Sequence, residues 1–332
     1  MNRIYYVGKR ILQAFVLLWL VVTMIFVLFR LMPGDAASFL LARGADPETV
    51  AQFEQQWGLN EPIYVQYLKY MANLLTFDAG TSIQQGISVW DYVKFRLLNS
   101  LLLVIPGITV GYIAGGIWGT ILGTMKDERL EQYGIALAVF VGTIPIFVTA
   151  ILAVIIFGMN LDLFPTSGMV SIEVTRQLEG APWWKVYTTQ SFFMHYVLPF
   201  SVIAFRYSSL PALIMRTSVT DVKNEGFTYY HRITGKPKWK RLARMGRHAS
   251  LPVITFYPLS LGQAIGGLVL IEVVFNWPGI GDALVSAIFA RDFPVVQFMF
   301  LLIAAFIIFG NLVVDIVYGI IDPRVSVGDG DK

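Results

Sequence analysis

The chain has 332 residues, of which 56% are hydrophobic and 14% are charged, and its formal net charge is +3. A soluble domain carries about 25% charged residues, so this composition excludes a wholly water-soluble protein and favours one with several membrane spans. The absence of cysteine excludes disulfide bonds and thiol chemistry.

Six apolar stretches are long enough to cross a membrane as helices, for which about 20 residues are needed. The first follows Lys9 and Arg10, and it is too long for the core of a cleavable signal peptide, so we expect it to remain as a span. The sequence therefore predicts an all-α, polytopic membrane protein with six spans. These stretches cover approximately residues 11–31, 98–125, 134–158, 196–215, 251–275 and 297–321.

Prolines interrupt most of these stretches. Each proline removes a backbone hydrogen-bond donor and can kink its helix. Kinked helices suit a transporter or channel that opens and closes, although they also occur in static bundles. The prolines concerned are Pro106, Pro145, Pro199, Pro211, Pro252 and Pro258.

The distribution of Lys and Arg predicts the orientation of the spans, because cytoplasmic loops carry an excess of these residues. Sixteen of them fall in the N-terminus, the 126–133 loop, the 216–250 loop and the C-terminal tail, whereas seven fall in the remaining loops. Both termini and the 216–250 loop are therefore predicted to be cytoplasmic.

This orientation gives a predicted domain layout. Residues 33–97 contain most of the sequence outside the membrane on the opposite side, and we expect them to form a small helical cap, with one helix from Tyr64 to Leu75. The other predicted parts are 1–32 (N-terminus and first span), 98–325 (a five-span core that contains the 216–250 loop) and 326–332 (cytoplasmic tail).

Five glycines recur at intervals of four residues in the second span. This spacing places them on one face of a helix, where they allow another helix backbone to approach closely. The partner helix could belong to this chain or to another one. The stripe consists of Gly107, Gly111, Gly115, Gly119 and Gly123.

Three ionisable residues fall within predicted spans: Arg206, Glu272 and Asp315. A charge in the membrane is costly, so such residues usually face the bundle interior, a transport pathway or a partner charge. Glu272 and Asp315 lie near span ends, where a position at the membrane surface is an equally good interpretation. Arg206 is the deepest, and it is the strongest candidate for a buried ion pair or a pathway-facing group.

The loop segment HRITGKPKWKRLARMGRH, residues 231–248, is densely basic and contains no acidic residue. Phe227, Tyr230 and Ile233 form an apolar stripe, and Gly235 fits the position that ends a helix. Pro237 fits the start of a second helix, on which Trp239 lies on an apolar face. Topology alone accounts for the charge, because these cations can rest on anionic lipid. The helix–turn–helix pattern also indicates a docking element for a protein partner, whereas a nucleic-acid partner is not expected.

The sequence contains no recognisable catalytic or cofactor-binding motif. The three histidines are far apart, and Gly235-Lys236 is followed by proline rather than by the Ser or Thr of a phosphate-binding loop. We therefore expect no cofactor or metal on this chain and no enzymatic activity. If nucleotide hydrolysis drives the protein, another subunit carries it out.

Four motifs give the chain a resemblance to a known family. They are RLMPGD (30–35), YVQYLKYMANLLTFDAGTS (64–82), LPVITFYPLSLGQAIGGLVLIEVVFNWPGIGDALVSAIFARDFPVVQ (251–297) and VVDIVYGIIDPRV (313–325). On these motifs the chain resembles the inner-membrane permease subunits of binding-protein-dependent ABC transporters, specifically the first permease of the dipeptide/oligopeptide class.

The resemblance implies a type I importer permease in a bacterial or archaeal inner membrane. Its implied partners are a second homologous permease, two ATPase subunits that bind ATP and Mg, an extracytoplasmic binding protein and the lipid bilayer. The implied substrate is an oligopeptide, with oligosaccharides as an alternative. From a different class, an ion-coupled secondary transporter or a channel also remains open.

The family carries an EAA motif in this cytoplasmic loop, and the motif forms a coupling helix that contacts the ATPase. By position, the resemblance assigns Glu225, Phe227, Arg232 and Gly235 to that motif, with Tyr230 and Trp239 in the same loop. The family's usual Ala-Arg-Ala-Lys-Gly ending is replaced here by His-Arg-Ile-Thr-Gly at residues 231–235. This departure affects the individual ATPase contacts rather than the location of the contact.

Overall fold

The computed structural model describes most of the chain. Its described residues are 3–31, 47–48, 50–51, 55, 60–76, 78–223, 225–226, 234–235 and 237–321. These residues form helices, turns and an isolated β-bridge between Thr81 and Ser88. The predicted all-α class is confirmed.

The helices are numbered here in chain order. A π-helical segment, Val154–Asn160, continues α5, and a short 3-10 helix, Trp183–Thr188, precedes α7. The α-helices are α1 (Arg3–Leu31), α2 (Ile63–Leu75), α3 (Val89–Thr124), α4 (Glu128–Thr143), α5 (Ile146–Ala153), α6 (Ile172–Gln177), α7 (Gln190–Lys223), α8 (Lys238–Ala249), α9 (Leu251–Phe275), α10 (Ile280–Ala290) and α11 (Phe293–Ile321).

Within the described ranges, four helices are long and apolar enough to cross a membrane: α1, α3, α7 and α11. Two further candidates are bent. One combines α4 with α5 and its π-helical extension, and the other is α9, which bends by 59° between Leu251–Ala264 and Gly267–Phe275. If each bent pair is one span, the total is six, as the sequence predicts.

The predicted third span, 134–158, is not one continuous helix. Its two halves meet at an angle of 96° around Pro145. The cause is local, because a residue that precedes proline is pushed out of the helical conformation. Ile144 is accordingly extended, with φ −66° and ψ 127°. The prolines inside α3, α7 and α9 do not end those helices.

Two of the spanning helices extend well beyond the predicted spans. α3 has 36 residues and α7 has 34. At 1.5 Å per residue each is about 50 Å long, whereas the hydrocarbon core of a bilayer is about 30 Å thick. Both helices therefore continue past the membrane core.

The chain divides into two compact units. The first comprises residues 1–98 and 279–332, and the second comprises residues 99–278. The predicted boundary between a 33–97 cap and a 98–325 core is based on where the chain enters the membrane and not on contacts between residues. This division stays a prediction. The predicted helix from Tyr64 to Leu75 is confirmed by α2.

In the first unit, a buried carboxylate joins two turns that are far apart in sequence. Asp292, between α10 and α11, is 2% exposed. It accepts hydrogen bonds from the Ser82 hydroxyl and from the backbone N–H groups of Ile83 (3.2 Å) and Gln84 (3.0 Å). A buried carboxylate with several donors is well compensated for its lost hydration. Asp292 therefore joins the turn before α3 to the turn between α10 and α11, and these three helices share one apolar core in this unit.

In the second unit, the glycine stripe of α3 lies against α7 of the same chain. A Cβ atom added at Gly111 would lie 2.6 Å from the backbone oxygen of Ala204, closer than real Cβ contacts come. At Gly115 and Gly119 the added atom would collide with the backbone oxygens of Ser208 and Ala212. The two helix backbones are therefore in direct contact.

We expect Gly115→Ala to destabilise the protein and Gly116→Ala to be tolerated. The added methyl group at residue 115 overlaps the α7 backbone, and such overpacking typically costs about 1–3 kcal/mol. At Gly116 an added Cβ meets nothing within 4 Å. Thermal unfolding of the purified variants measures the difference. Equal midpoints for the two variants would contradict the close α3–α7 contact.

Candidate coupling site and buried polar residues

The predicted coupling segment lies between α7 and α8, and the structure describes parts of it. Glu225 is exposed just after α7, and Gly235 forms a turn before α8. The predicted coupling residues Phe227, Tyr230 and Arg232 lie outside the described residues. Their contacts therefore stay predictions.

Gly235 has the conformation that its predicted role requires. Its φ is +64°, in the left-handed region, and an added Cβ would meet nothing within 4 Å. The need for glycine is thus conformational rather than steric, because L-residues with a side chain rarely adopt this backbone conformation. Pro237 follows, and α8 begins at Lys238. The glycine turn therefore sets the direction in which α8 leaves the segment.

α8 is amphipathic, and part of its apolar face lies against α7 and α9 of its own chain. Met245 and Ala249 are buried. Trp239 is 66% exposed, and together with Leu242 it lines a groove that α8 forms with α3 and α9. The sequence places Trp239 with the coupling residues, and the structure also makes it part of an intramolecular groove.

The three ionisable residues predicted within spans have different environments. Asp315 forms an ion pair with Arg10 at 3.3 Å, which joins α11 to α1 in the first unit. Both side chains are about one-third exposed, at 37% and 36%, and pairs of this kind contribute about 1 kcal/mol or less.

Arg206 is half-buried on α7, with its guanidinium carbon 6.0 Å from the centroid of the Tyr207 ring. Among the described residues it forms no ion pair. Arg216, rather than Arg206, forms an ion pair between two helices. Its Nε donates to Glu131 Oε1 at 2.7 Å and joins α7 to α4. In the sequence Arg216 falls among the cations of the 216–250 loop, because the hydropathy does not reveal the long extension of α7.

Glu272 is fully buried in the second unit, at 0% exposure. The Ser100 hydroxyl donates a hydrogen bond of 2.6 Å to Glu272 Oε1. The Glu272 backbone oxygen also accepts from the N–H of Trp277 at 2.8 Å, where α9 ends in the left-handed residue Asn276. Glu272 thus ties the end of α9 to α3, and its position at a span end does not expose it to the membrane surface.

Asn99, next to Ser100, is the centre of a second set of buried hydrogen bonds. Its Nδ2 donates to the Pro278 backbone oxygen at 2.8 Å. Its Oδ1 accepts from the Tyr187 hydroxyl at 2.7 Å, and its backbone oxygen accepts from Trp277 Nε1 at 3.2 Å. Burial raises the pKa of Tyr187 above its ordinary value, which is itself well above neutral pH, and this hydroxyl is a hydrogen-bond donor. These contacts connect the 3-10 helix Trp183–Thr188 to α3 and to the end of α9.

Asn99, Ser100 and Tyr187 are not among the residues that the sequence singles out. Asn99 and Ser100 are polar residues at the start of an apolar span, which is the one sequence signal that identifies them. Their partners are up to 179 positions away in the chain, so the pairing itself is not readable from local patterns.

Comparison with known families decides what kind of protein carries these features. Residues 86–327 match the family described as the inner membrane component of binding-protein-dependent transport systems, and residues 3–94 match its N-terminal region. The chain belongs to this family.

Relatives of this transport component match it from end to end. It is 31% identical to the oligopeptide transport system permease protein AppB of Bacillus subtilis (strain 168), over 97% of this chain and 99% of the relative. It is 32% identical to the glutathione transport system permease protein GsiC of Salmonella paratyphi A (strain ATCC 9150 / SARB42), over 96% of this chain and 98% of the relative. GsiC of Escherichia coli (strain K12) is 30% identical over 321 residues.

Family membership confirms several predictions for this transport component. It is a multi-pass inner-membrane protein and a permease component of a binding-protein-dependent transport system. The predicted resemblance to inner-membrane permease subunits is confirmed, and the matched range 86–327 includes the 251–297 motif with Glu272 and Trp277.

We expect Glu272→Ala to destabilise the permease and Glu272→Gln to be nearly neutral. Alanine removes the acceptor of the Ser100 hydroxyl and leaves a cavity in a fully buried position, which together cost about 2–4 kcal/mol. Glutamine keeps both the volume and an acceptor oxygen. The thermal unfolding midpoint of the purified protein reports the difference.

The control is Glu225→Ala, which removes an exposed glutamate and should leave the midpoint unchanged. If Glu272→Ala unfolds at the same temperature as this control, the carboxylate has no structural role.

Proposed function

We propose that the chain is a permease subunit of an ATP-driven importer and forms half of a translocation pathway for oligopeptides. The observation that carries this proposal is the end-to-end similarity to AppB, an oligopeptide transport system permease. The similarity to GsiC supports the same substrate class, because glutathione is itself a short peptide.

The proposed complex contains a second homologous permease, two ATPase subunits and an extracytoplasmic substrate-binding protein. Family membership supports the binding protein, since the family is defined by dependence on one. The ATPase subunits would bind ATP and Mg, because this sequence contains no nucleotide-binding motif. This chain would therefore contribute the pathway and the coupling contacts rather than the hydrolysis.

The helix connections suggest how ATPase movement would reach the membrane. The coupling segment follows α7 directly and is joined through α8 to α9, with Ser250 as the link between the two helices. A displacement of the segment therefore acts on two membrane helices at once.

The packing of α7 would spread such a displacement through the second unit. α7 is in backbone contact with α3 along the glycine stripe. It is also bonded to α4, through Arg216–Glu131 and through the Ser209 hydroxyl, which donates to the Ala138 backbone oxygen at 2.7 Å. We infer that α3, α4 and α7 move together when the ATPase subunits close.

Co-purification tests the proposed assembly. The chain is expressed with the genes that neighbour its own, and a tag on the chain is used for purification. We expect the tag to retain the ATPase and the second permease, and the reconstituted complex to hydrolyse ATP faster when the loaded binding protein is added. An intact, folded chain that retains no ATPase would overturn the proposal.

A substitution at Gly235 tests the coupling site itself. Gly235→Val forces a β-branched residue into the left-handed region, at a cost of about 1–2 kcal/mol or more, whereas asparagine adopts this conformation readily. We expect Gly235→Val to lower stimulated ATP hydrolysis and peptide uptake about tenfold, and Gly235→Asn to retain most of both activities.

Complex assembly is measured in the same preparations by the amount of ATPase retained. Equal transport by the valine and asparagine variants would show that the turn is not needed for coupling.

A further inference from the structure

One face of α7 changes its surroundings halfway along the helix. Residues spaced by three or four positions lie on the same face of a helix. On this face, the residues nearer the start of α7 are buried: Phe192, His195, Pro199 and Val202. The residues nearer its end are half-buried or exposed, and they are called the open face here: Arg206, Leu210, Leu213 and Thr217. The first half of this side of α7 is therefore packed into the protein, and the second half is open.

Other sides of α7 are in contact with helices of the same unit. α3 lies along one side through its glycine stripe. α4 lies along another side, where it is bonded to Ser209 and Arg216. These contacts use residues outside the open face, so they do not cover it.

Arg206 lies near the middle of the membrane. A Cβ atom added at Gly111 of α3 would come closest to Ala204 and Tyr207 of α7, so Arg206 lies at the level of Gly111. Gly111 is in the middle of the predicted span 98–125. A charge at this depth is costly when it faces lipid, and such residues usually face a water-filled space or an opposite charge.

Arg206 has no ion-pair partner among the described residues. Its guanidinium carbon lies 6.0 Å from the centroid of the Tyr207 ring. Arg216, on the side of α7 that meets α4, is instead paired with Glu131. Because a guanidinium group stays protonated in proteins, Arg206 gives the open face a permanent positive charge.

We propose that the open face of α7 lines the translocation pathway and that Arg206 contacts a carboxylate of the transported peptide. The carboxylate contact rests on the proposed function, because every unblocked peptide ends in a carboxylate. A guanidinium group can bind a carboxylate through two parallel hydrogen bonds. Arg206 would thus offset the loss of hydration that the carboxylate undergoes at mid-membrane depth, and a hydrated pathway keeps the contact weak enough for release.

The direction of the opening fits a transport pathway. The open face leads toward the end of α7 that is predicted to be cytoplasmic, whereas the half on the predicted outer side is packed. A pathway that is open to the cytoplasm and closed to the outside is one of the two states of alternating access. Acyl chains of lipid on the open face would offer Arg206 no counter-charge, so the charge favours the substrate carboxylate.

Cysteine labelling tests where the open face lies. The chain contains no cysteine, so Arg206→Cys, Leu210→Cys and Leu213→Cys each introduce a single thiol. Phe205→Cys is the control, because Phe205 is 48% exposed at the same depth but about 100° away around the helix. The complete transporter in lipid nanodiscs is treated with a charged, water-soluble methanethiosulfonate, and mass spectrometry measures the labelling. We expect the open face to be labelled several-fold faster than the control.

Transport rates test the contact with the carboxylate. Liposomes that contain the transporter receive peptide from pre-loaded binding protein at a saturating concentration, so the rates compare translocation rather than capture. A peptide with a free C-terminal carboxylate is compared with its carboxamide. Where the binding protein accepts only the free carboxylate, a peptide with a Glu side chain is compared with its Gln counterpart.

We expect the wild type to import the form with the additional carboxylate several-fold faster. Arg206→Gln should lose this preference, and Arg206→Lys, which keeps the charge, should retain part of it. The control is Lys126→Gln, which removes an exposed cation between α3 and α4 and should keep the wild-type preference.

Three results would overturn the proposal. Labelling of the open face as slow as that of Phe205→Cys would show that water does not reach it. A photo-reactive amino acid at residue 210 that captures the second permease would identify a protein as the occupant. An unchanged carboxylate preference in Arg206→Gln would refute the contact with the peptide. Leu210→Cys and Leu213→Cys keep Arg206, so they decide the position of the open face even if substitutions at residue 206 impair folding.

Failure of the proposed function has a different signature. A binding protein that carries no peptide would overturn that function and, with it, the carboxylate contact. The cysteine labelling would still decide whether the open face lines the pathway.

Discussion

Along the face of α3 that carries Gly111, Gly115 and Gly119, no side chain separates its backbone from that of α7. Helices in a membrane gain little from burying apolar surface against each other, because the lipid is equally apolar, so their association depends on close packing and on hydrogen bonds. The glycine stripe supplies the packing. Ser209 adds a hydrogen bond from α7 to α4, where Gly142 leaves room for it. The glycine stripe thus sets the distance between α3 and α7 in the second unit, and the hydrogen bond joins α4 to this pair.

Polar contacts hold this unit near both ends of its helices. Glu272 with Ser100, and Asn99 with Tyr187 and Trp277, tie α3 to the end of α9 and to the 3-10 helix before α7. Arg216 and Glu131 join α7 to α4 farther along α7, toward the coupling segment. Buried groups of this kind are costly when unpaired, so the hydrogen bonds fix the register of the helices. In the proposed mechanism, a unit held in this way transmits a displacement of the segment between α7 and α8 instead of absorbing it.

Much of this arrangement is predictable from the sequence where its cause is local. The four-residue glycine spacing identifies a helix face for close packing, and the combination of Gly235 and Pro237 predicts the left-handed turn before α8. Pro145 is recognisable as a site of kinking, but the 96° angle depends on what the two halves pack against. The partners of Glu272 and Asn99 are likewise invisible, because hydropathy contains no information on contacts between residues almost 180 positions apart.

Gly115 and Gly116 show how neighbouring residues of one helix serve different surfaces. Successive residues are rotated by about 100° around a helix of 3.6 residues per turn. Gly115 therefore faces α7, where any side chain would collide, while Gly116 faces the groove beside α8 and α9, where an added Cβ meets nothing within 4 Å. Glycine at 115 is explained by the contact with α7, but that contact does not explain glycine at 116. Gly116 lines this groove together with Ile113 and Ile117, so a larger side chain at residue 116 would project into the groove rather than against another helix.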